Sequence, residues 1–441
     1  MIPASEFLLE DVRCFRGEQR ARMRPITLLV GENSTGKTTF LGCYAVLREL
    51  IAGGDVPGSR LDFNREPFLM GSFPDIVRSQ RGRPGRIDQF SLGFTFFLTR
   101  RDQPVPFVTK ISFREDGVQP VMFSVKCEYD THSFSLERNT DTISTLFKTA
   151  DFESQLSYPF NENCFLLLDT LSLGRERYPD ASEDEIRVID YLSTTLKLND
   201  SASIKPRLFS AFAEHFQRPI PVAPLRSKPM RTYNPVRETA SPEGEHIPML
   251  LMRLDRTDKT SWNLLHHSLV AFGKASGLFS DIAVKRHGRQ MSDPFQLQVK
   301  ARAGSRANIM DVGYGVSQSL PILVDVRRHE QCVFLLQQPE VHLHPRAQAE
   351  LASFFVESYR KNRNYFMVET HSDYIIDRVR ILTKQGTLRP EDVSILYFGP
   401  DRNAVQIHNI SLDANGNLQN VPPGYRDFFI RESDRLLGFD D

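Results

Sequence analysis

Long apolar runs are missing from this sequence, and no segment approaches the length of a bilayer-spanning helix. A membrane partner is therefore not expected. Cysteine is sparse: Cys14, Cys43, Cys127, Cys164 and Cys332 are scattered, odd in number and never spaced C-x-x-C. That pattern excludes a disulfide framework and a structural zinc site, and it fits a reducing cytoplasm. Net charge is also missing, because 55 Lys and Arg balance 55 Asp and Glu. No global field draws the chain to nucleic acid or membrane, which leaves only local basic patches. There is no internal repeat, no low-complexity tract and no sustained apolar heptad of the kind a long coiled coil needs. The first residues carry charge where a secretory signal needs an apolar core, so a cytoplasmic location is expected. What remains is 441 residues at 40% hydrophobic, enough for a substantial core in two to three lobes.

Against that background one segment stands out. Gly31-Glu32-Asn33-Ser34-Thr35-Gly36-Lys37-Thr38 satisfies G-x-x-x-x-G-K-[ST] at every fixed position. Each residue type there answers a demand of triphosphate binding. The Gly-rich turn gathers backbone N–H groups into an anion nest, and a helix N-terminus adds partial positive charge. Lys37 can reach the β- and γ-phosphates, and the Thr38 hydroxyl can ligate Mg²⁺. The flanks agree: Ile26–Val30 reads as a buried strand and Thr39–Leu47 as a helix. Residues Glu32, Asn33, Ser34, Thr35, Gly36, Lys37, Thr38 and Thr39 are the expected nucleotide-binding set, for ATP or GTP.

Four stretches follow from composition. Residues 1–89 carry strand, turn, strand, P-loop and helix. Residues 90–140 alternate Phe, Val and Thr with turn signals such as Glu115-Asp116-Gly117, predicting an antiparallel β-layer. Residues 141–260 read as a mainly helical insertion, with Ile186, Ile189 and Leu192 near one face, followed by a connector punctuated by Pro219, Pro221, Pro224, Pro229 and Pro235. Residues 261–441 open with a helix around Trp262–Gly273 and strands near Ile282–Val284 and Phe295–Val299, and from 310 onward alternate helices with apolar β-runs, as in an α/β core built on a parallel sheet.

A P-loop alone does not define the NTPase, because the acidic strand and the phosphate sensors carry that information. Phe165-Leu166-Leu167-Leu168-Asp169 is one candidate acidic strand, but nothing after it resembles a sensor. Its rival is Val333-Phe334-Leu335-Leu336-Gln337-Gln338-Pro339-Glu340, followed by Val341-His342-Leu343-His344-Pro345. A further β-run, Tyr365-Phe366-Met367-Val368, ends in Glu369-Thr370-His371-Ser372-Asp373. If the histidine segment is extended, His342 and His344 face opposite sides, which disfavours a zinc pair.

This order of motifs resembles the ABC-type ATPases of the AAA_15/AAA_21 group, related to the RecF, Rad50 and OLD-family ATPases. Pro339–Pro345 matches the group's P-E-x-x-L-H-P tail, and Thr370-His371-Ser372 matches its T-H-S switch. Asp311-Val312-Gly313-Tyr314-Gly315-Val316-Ser317-Gln318 resembles its variant of the ABC signature. Ala223-Pro224-Leu225-Arg226 and the segment Pro422–Phe429 resemble further parts of the group, while roughly residues 90–220 lie outside the likeness. The resemblance implies an ABC-type P-loop core, a mixed or parallel sheet flanked by helices, with a β-layer and a helical insertion lobe. It implies ATP and Mg²⁺ as cofactors, with Thr38 and Gln337 at the metal and Gln338, Glu340 and His371 as catalytic positions. Gly315, Ser317 and Gln318 would act in trans on the nucleotide of a partner subunit in a head-to-tail dimer. Ser317 is expected to cap the helix that follows.

One departure changes the expectation. Where the group carries Asp-Glu at the end of the acidic strand, this chain has Gln337-Gln338. An amide can orient water or offer its carbonyl oxygen to a cation, but it can neither accept a proton nor add negative charge. Glu340 is then the nearby carboxylate left to act as base. Slow hydrolysis follows, which suits a switch that holds ATP. ATPases of this group in Septu-like and PARIS-like anti-phage systems restrain a separate nuclease effector, so the resemblance implies a sensor or scaffold subunit with an effector partner. The alternative is a RecF-like repair ATPase that binds DNA directly. Two basic stretches bear on it, Arg78, Arg81, Arg83, Arg86 and Lys285, Arg286, Arg289, Lys300, Arg302, Arg306, which read either as solvated faces or as contacts to nucleic-acid phosphates. A transporter ATPase fits poorly without Leu-Ser-Gly-Gly-Gln, and no nuclease constellation of its own is visible.

Overall fold

The computed structural model describes residues 6–51, 62–78, 87–100, 103–129, 132–138, 142–148, 153–159, 219–235, 240–301, 304–425, 435 and 437. The chain divides into two compact units, and each is described by itself.

The first unit takes residues 24–33, 219–399 and 408–441. Its centre is a run of parallel strands in the spatial order Ile220–Val222, Val333–Gln337, Tyr365–Glu369, Ile26–Gly31, Val393–Asp401. The strands Ala404–Leu412 and Leu418–Gln419 extend the sheet on the last side. Val333–Gln337 is buried at all five positions and Ile26–Val30 likewise. Near-continuous apolar runs of this kind fit a parallel sheet covered on both faces. The crossovers are helices: Pro345–Asn362 joins the second strand to the third, and Asp373–Lys384 leads from the third toward the fifth. Helices Ile247–Thr257, Lys259–Ser276 and Tyr314–Arg328 pack into the same core. Phe366 is sandwiched there, stacked on Phe355 at 4.7 Å and on Phe334 at 5.5 Å between centroids. The expected strands near 282–284 and 295–299 are present as Asp281–Arg286 and Phe295–Lys300, in a three-stranded antiparallel sheet with Arg306–Asn308. Ile220–Val222 emerges from the proline-rich connector as an edge strand, the place where Pro221 removes no ladder bond from a sheet interior.

The second unit takes residues 1–23, 34–218 and 400–407. Its eight-stranded antiparallel sheet runs Glu153–Pro159, Thr142–Lys148, His132–Arg138, Gln119–Tyr129, Gln103–Asp116, Gln89–Arg100, Glu6–Glu10, Glu18–Arg22. Alternation sets its packed face: Phe90, Leu92, Phe94 and Phe96 are all buried. Phe7 meets Phe40 and Tyr44 of the helix Lys37–Ile51 edge-on, at 5.0 and 5.4 Å.

The β-layer reaches further than expected. Strands occupy 142–148 and 153–159, where the helical insertion was expected to begin at 141. Thr142-Ile143-Ser144-Thr145 is rich in β-branched and hydroxyl side chains, which lose rotamer freedom in a helix and fit a pleated sheet. The expected helix at 183–192 and the rival acidic strand at 165–169 lie outside the described residues, as do Arg81, Arg83, Arg86 and Arg302.

Phe334→Ala removes one member of the aromatic stack from a fully buried site. It is expected to destabilise the protein by about 3–5 kcal/mol, measured by chemical denaturation followed by far-UV circular dichroism.

Candidate nucleotide site

Parallel strands end together, and their carboxyl edge is where open α/β sheets bind ligands. At that edge Ile26–Gly31 opens into the P-loop. The turn there uses left-handed or Gly-type backbone three times, with φ of 147° at Gly31, 63° at Ser34 and 87° at Gly36. A side chain at Gly36 is excluded twice: by that φ, and because a Cβ would lie 2.6 Å from Cys14 Sγ and 2.8 Å from the Phe15 ring. The helix starts at Lys37, and the Phe40 N–H donates to Gly36 O at 2.9 Å. Lys37, Thr35 and Thr39 are buried, whereas Glu32, Asn33, Ser34 and Thr38 are exposed. Arg13 braces the helix start, donating to Thr39 Oγ1 at 3.0 Å while held by Met70 O at 2.7 Å and Asp75 O at 3.0 Å. No periodic pattern marks Arg13, so the sequence reading passes over it.

On the acidic strand, Gln337 is the last residue and lies in register with Glu369 of the neighbouring strand. Its Oε1 is buried without a hydrogen-bond partner. Gln338 turns out of the strand with φ 41°, its N–H donating to Glu369 O at 2.8 Å. The following residues form successive tight turns, Val341 N–H to Gln338 O at 3.2 Å and Leu343 N–H to Glu340 O at 2.9 Å. The segment is therefore not extended: His342 has φ 64° and its ring lies 5.6 Å from that of Tyr314. His344 caps the helix Pro345–Asn362 by accepting the Arg346 N–H. Among the described residues no cluster of His, Cys, Asp and Glu could hold a metal on its own. An orphaned amide oxygen at the strand end nevertheless fits a cation that also draws ligands from a nucleotide.

Glu340 and His371 are brought together. Glu340 Oε1 accepts the His371 backbone N–H at 2.7 Å. Burial raises the Glu340 carboxyl above the usual carboxylate range, opposed by hydrogen bonds from the backbone amides of His371 and of Glu340 itself, by the Thr370 hydroxyl and by the charge of Arg226. Ser372 caps the helix Asp373–Lys384 at Ile375 and donates to Gln348 Oε1 at 2.5 Å.

The signature segment differs in one respect from expectation. Its helix begins at Tyr314 with Gly313 as the cap, so Ser317 sits within the first turn and donates to Tyr314 O at 2.9 Å. Gly313 supplies the extended backbone that the cap position needs, which moves the helix start ahead of Ser317. Gly315 packs closely on the acidic loop, where a Cβ would meet His342 O at 3.0 Å. Gln318 exchanges two bonds with the backbone of Arg226, at 3.2 and 3.3 Å. The buried Arg226 guanidinium donates to Gln318 O, Ala223 O, Pro224 O and Pro339 O, tying the signature helix to the acidic loop. Burial lowers its pKa to about 10, opposed by Glu340.

Strand order, P-loop and the loops at this edge define a P-loop ATPase of the ABC type. The AAA_21 family profile, described as "AAA domain, putative AbiEii toxin, Type IV TA system", matches residues 26–377. The chain belongs to that family of ATPases. A search among curated proteins gives no match. Among solved structures, the Smc head bound to the C-winged helix domain of ScpA is similar at 13% identity and TM-score 0.43, covering 93% of this chain and 98% of that chain. The Smc head with a coiled coil and joint derived from Pyrococcus yayanosii is 10% identical with TM-score 0.40, covering 94% and 98%. The Smc head domain from Thermotoga maritima is 8% identical with TM-score 0.37, covering 92% and 98%. No helix among the described residues is long and apolar enough to cross a membrane.

The raised pKa of Glu340 sets a pH dependence. A carboxyl that holds its proton more tightly when folded costs stability as pH climbs past its unfolded value and through its folded one. Glu340→Gln removes that cost. Its unfolding midpoint is expected to exceed that of the natural protein at about pH 8, with the gap closing toward about pH 4, measured by denaturant titration across pH.

Proposed function

We propose that this protein binds ATP with Mg²⁺, hydrolyses it slowly, and serves as the sensor or scaffold subunit that controls a separate effector, a nuclease, in bacterial defence against phage. One observation carries the reading: the strand that ends at the phosphate-binding edge closes on Gln337-Gln338, with no acid at either position. Glu32 through Thr39 hold the nucleotide, with Lys37 at its phosphates and Thr38 and Gln337 at the metal. Bound Mg²⁺ would neutralise charge on the β- and γ-phosphates. Gln338 orients water but cannot take its proton. Glu340, buried with a raised pKa, is the group able to accept it. His371 senses the γ-phosphate, and its backbone bond to Glu340 links sensor and base. Gly315, Ser317 and Gln318 serve the nucleotide of a second subunit, so that two chains pair head to tail around two ATP molecules in the cytoplasm. Such a site favours a long-lived ATP state over rapid cycling, which is what a restraint on an effector requires.

The decisive experiment is co-purification with the product of the neighbouring gene, using the natural chain and Lys37→Ala. A complex lost in Lys37→Ala supports the reading. No complex, together with tight ATP-dependent DNA binding by the isolated protein, overturns it in favour of a repair ATPase.

Restoring an acid gives a second check. Gln338→Glu is expected to raise the single-turnover hydrolysis rate by roughly tenfold or more, whereas Glu340→Gln lowers it. Rapid-quench measurement of ADP formation reads both.

A further inference from the structure

The acidic strand lacks its acids, yet the edge of the sheet does not lack a carboxylate. Glu369 ends the neighbouring strand Tyr365–Glu369 in direct register with Gln337. Laterally paired residues of a parallel sheet present their side chains to the same face. The same residue is also in register with Leu29 of the P-loop strand, two residues before Gly31. Glu369 is 5% exposed and Gln337 5%. Beside Glu369 stands Gln337 Oε1, a buried acceptor with no donor. A buried carboxylate and an orphaned carbonyl oxygen, side by side at a phosphate-binding edge, form a donor set suited to a hard divalent cation.

We propose that Glu369 supplies the carboxylate for the nucleotide-associated Mg²⁺, replacing from the adjacent strand the charge that Gln337 and Gln338 no longer carry. The inference rests on the nucleotide site proposed above and adds a residue to it. Glu369 acts on the metal, Gln337 completes the pair with its amide oxygen, and Glu340 stays free for proton transfer. The two missing acids are thus separated in function as well as in position.

Mn²⁺ serves as the probe, with a non-hydrolysable ATP analogue, and binding is followed by the loss of free-Mn²⁺ electron paramagnetic resonance signal. Nucleotide affinity is measured in parallel without metal. In Glu369→Gln, metal-free nucleotide affinity is expected to hold while Mn²⁺ affinity falls by roughly 10–100-fold. Adding Gln337→Asp to Glu369→Gln restores it, because the charge returns one strand away. Unchanged Mn²⁺ affinity in Glu369→Gln overturns the proposal. Loss of nucleotide binding by the natural protein, with or without metal, overturns instead the reading of the site itself. Should Glu369→Gln fail to fold, the natural chain still decides the matter. Fe²⁺ exchanged into the nucleotide complex, with ascorbate and peroxide, is expected to cleave the backbone around residues 337 and 369. Cleavage at the P-loop without cleavage around residue 369 excludes Glu369 as a ligand.

Discussion

Burial of Val333–Gln337 on both faces is the constraint from which the rest of the site follows. A strand buried on both faces holds polar residues only at a cost unless they are hydrogen-bonded, and the polar residue of this one, Gln337, falls at its carboxyl end. There the chain leaves abruptly, at a residue with positive φ, and folds into tight turns instead of running on. Those turns place Glu340 against the His371 backbone and Pro339 O under the Arg226 guanidinium. The switch strand, the acidic loop and the signature helix are thereby held by hydrogen bonds to one short segment. Displacing that segment would disturb all three.

Arg226 gives this arrangement an unusual electrostatic character. Its guanidinium donates to four backbone carbonyls, those of Gln318, Ala223, Pro224 and Pro339. Carbonyl dipoles satisfy its donors but leave its charge to act through space on Glu340, which burial makes reluctant to ionise. Desolvation and Coulomb attraction therefore pull the two residues in opposite directions, and small movements of the loop shift the balance.

Much of the core was legible in the sequence because its signals are local. The P-loop, its strand and its helix follow one another within the chain, and unbroken apolar runs such as Val333–Leu336 can only be buried strands. The helix around Trp262 and the two strands that follow it lie where periodicity put them. What was not legible depends on neighbours far apart in sequence. Glu369 reads as the end of a strand until the register sets it beside Gln337. Arg226 reads as one basic residue in a proline-rich connector until its partners 92 and 113 residues away are known. Ser317 looked like a cap because serine is a good one, yet Gly313 had already begun the helix. The β-layer outran its expected end at 140 because the segment beyond it carries weak patterns of both kinds, and pairing with an existing edge decided the matter.

The short strand Ile220–Val222 has a consequence for how many copies of this protein can coexist. It closes one side of the parallel sheet with three residues, one of them Pro221, which lacks a backbone donor. A long, flat strand at that position would offer a template for another chain to zip on, and a crowded assembly would risk growing by sheet extension. A clipped, proline-bearing border denies that route. Copies of the chain are left to meet through side chains and ligands rather than through continuous backbone pairing.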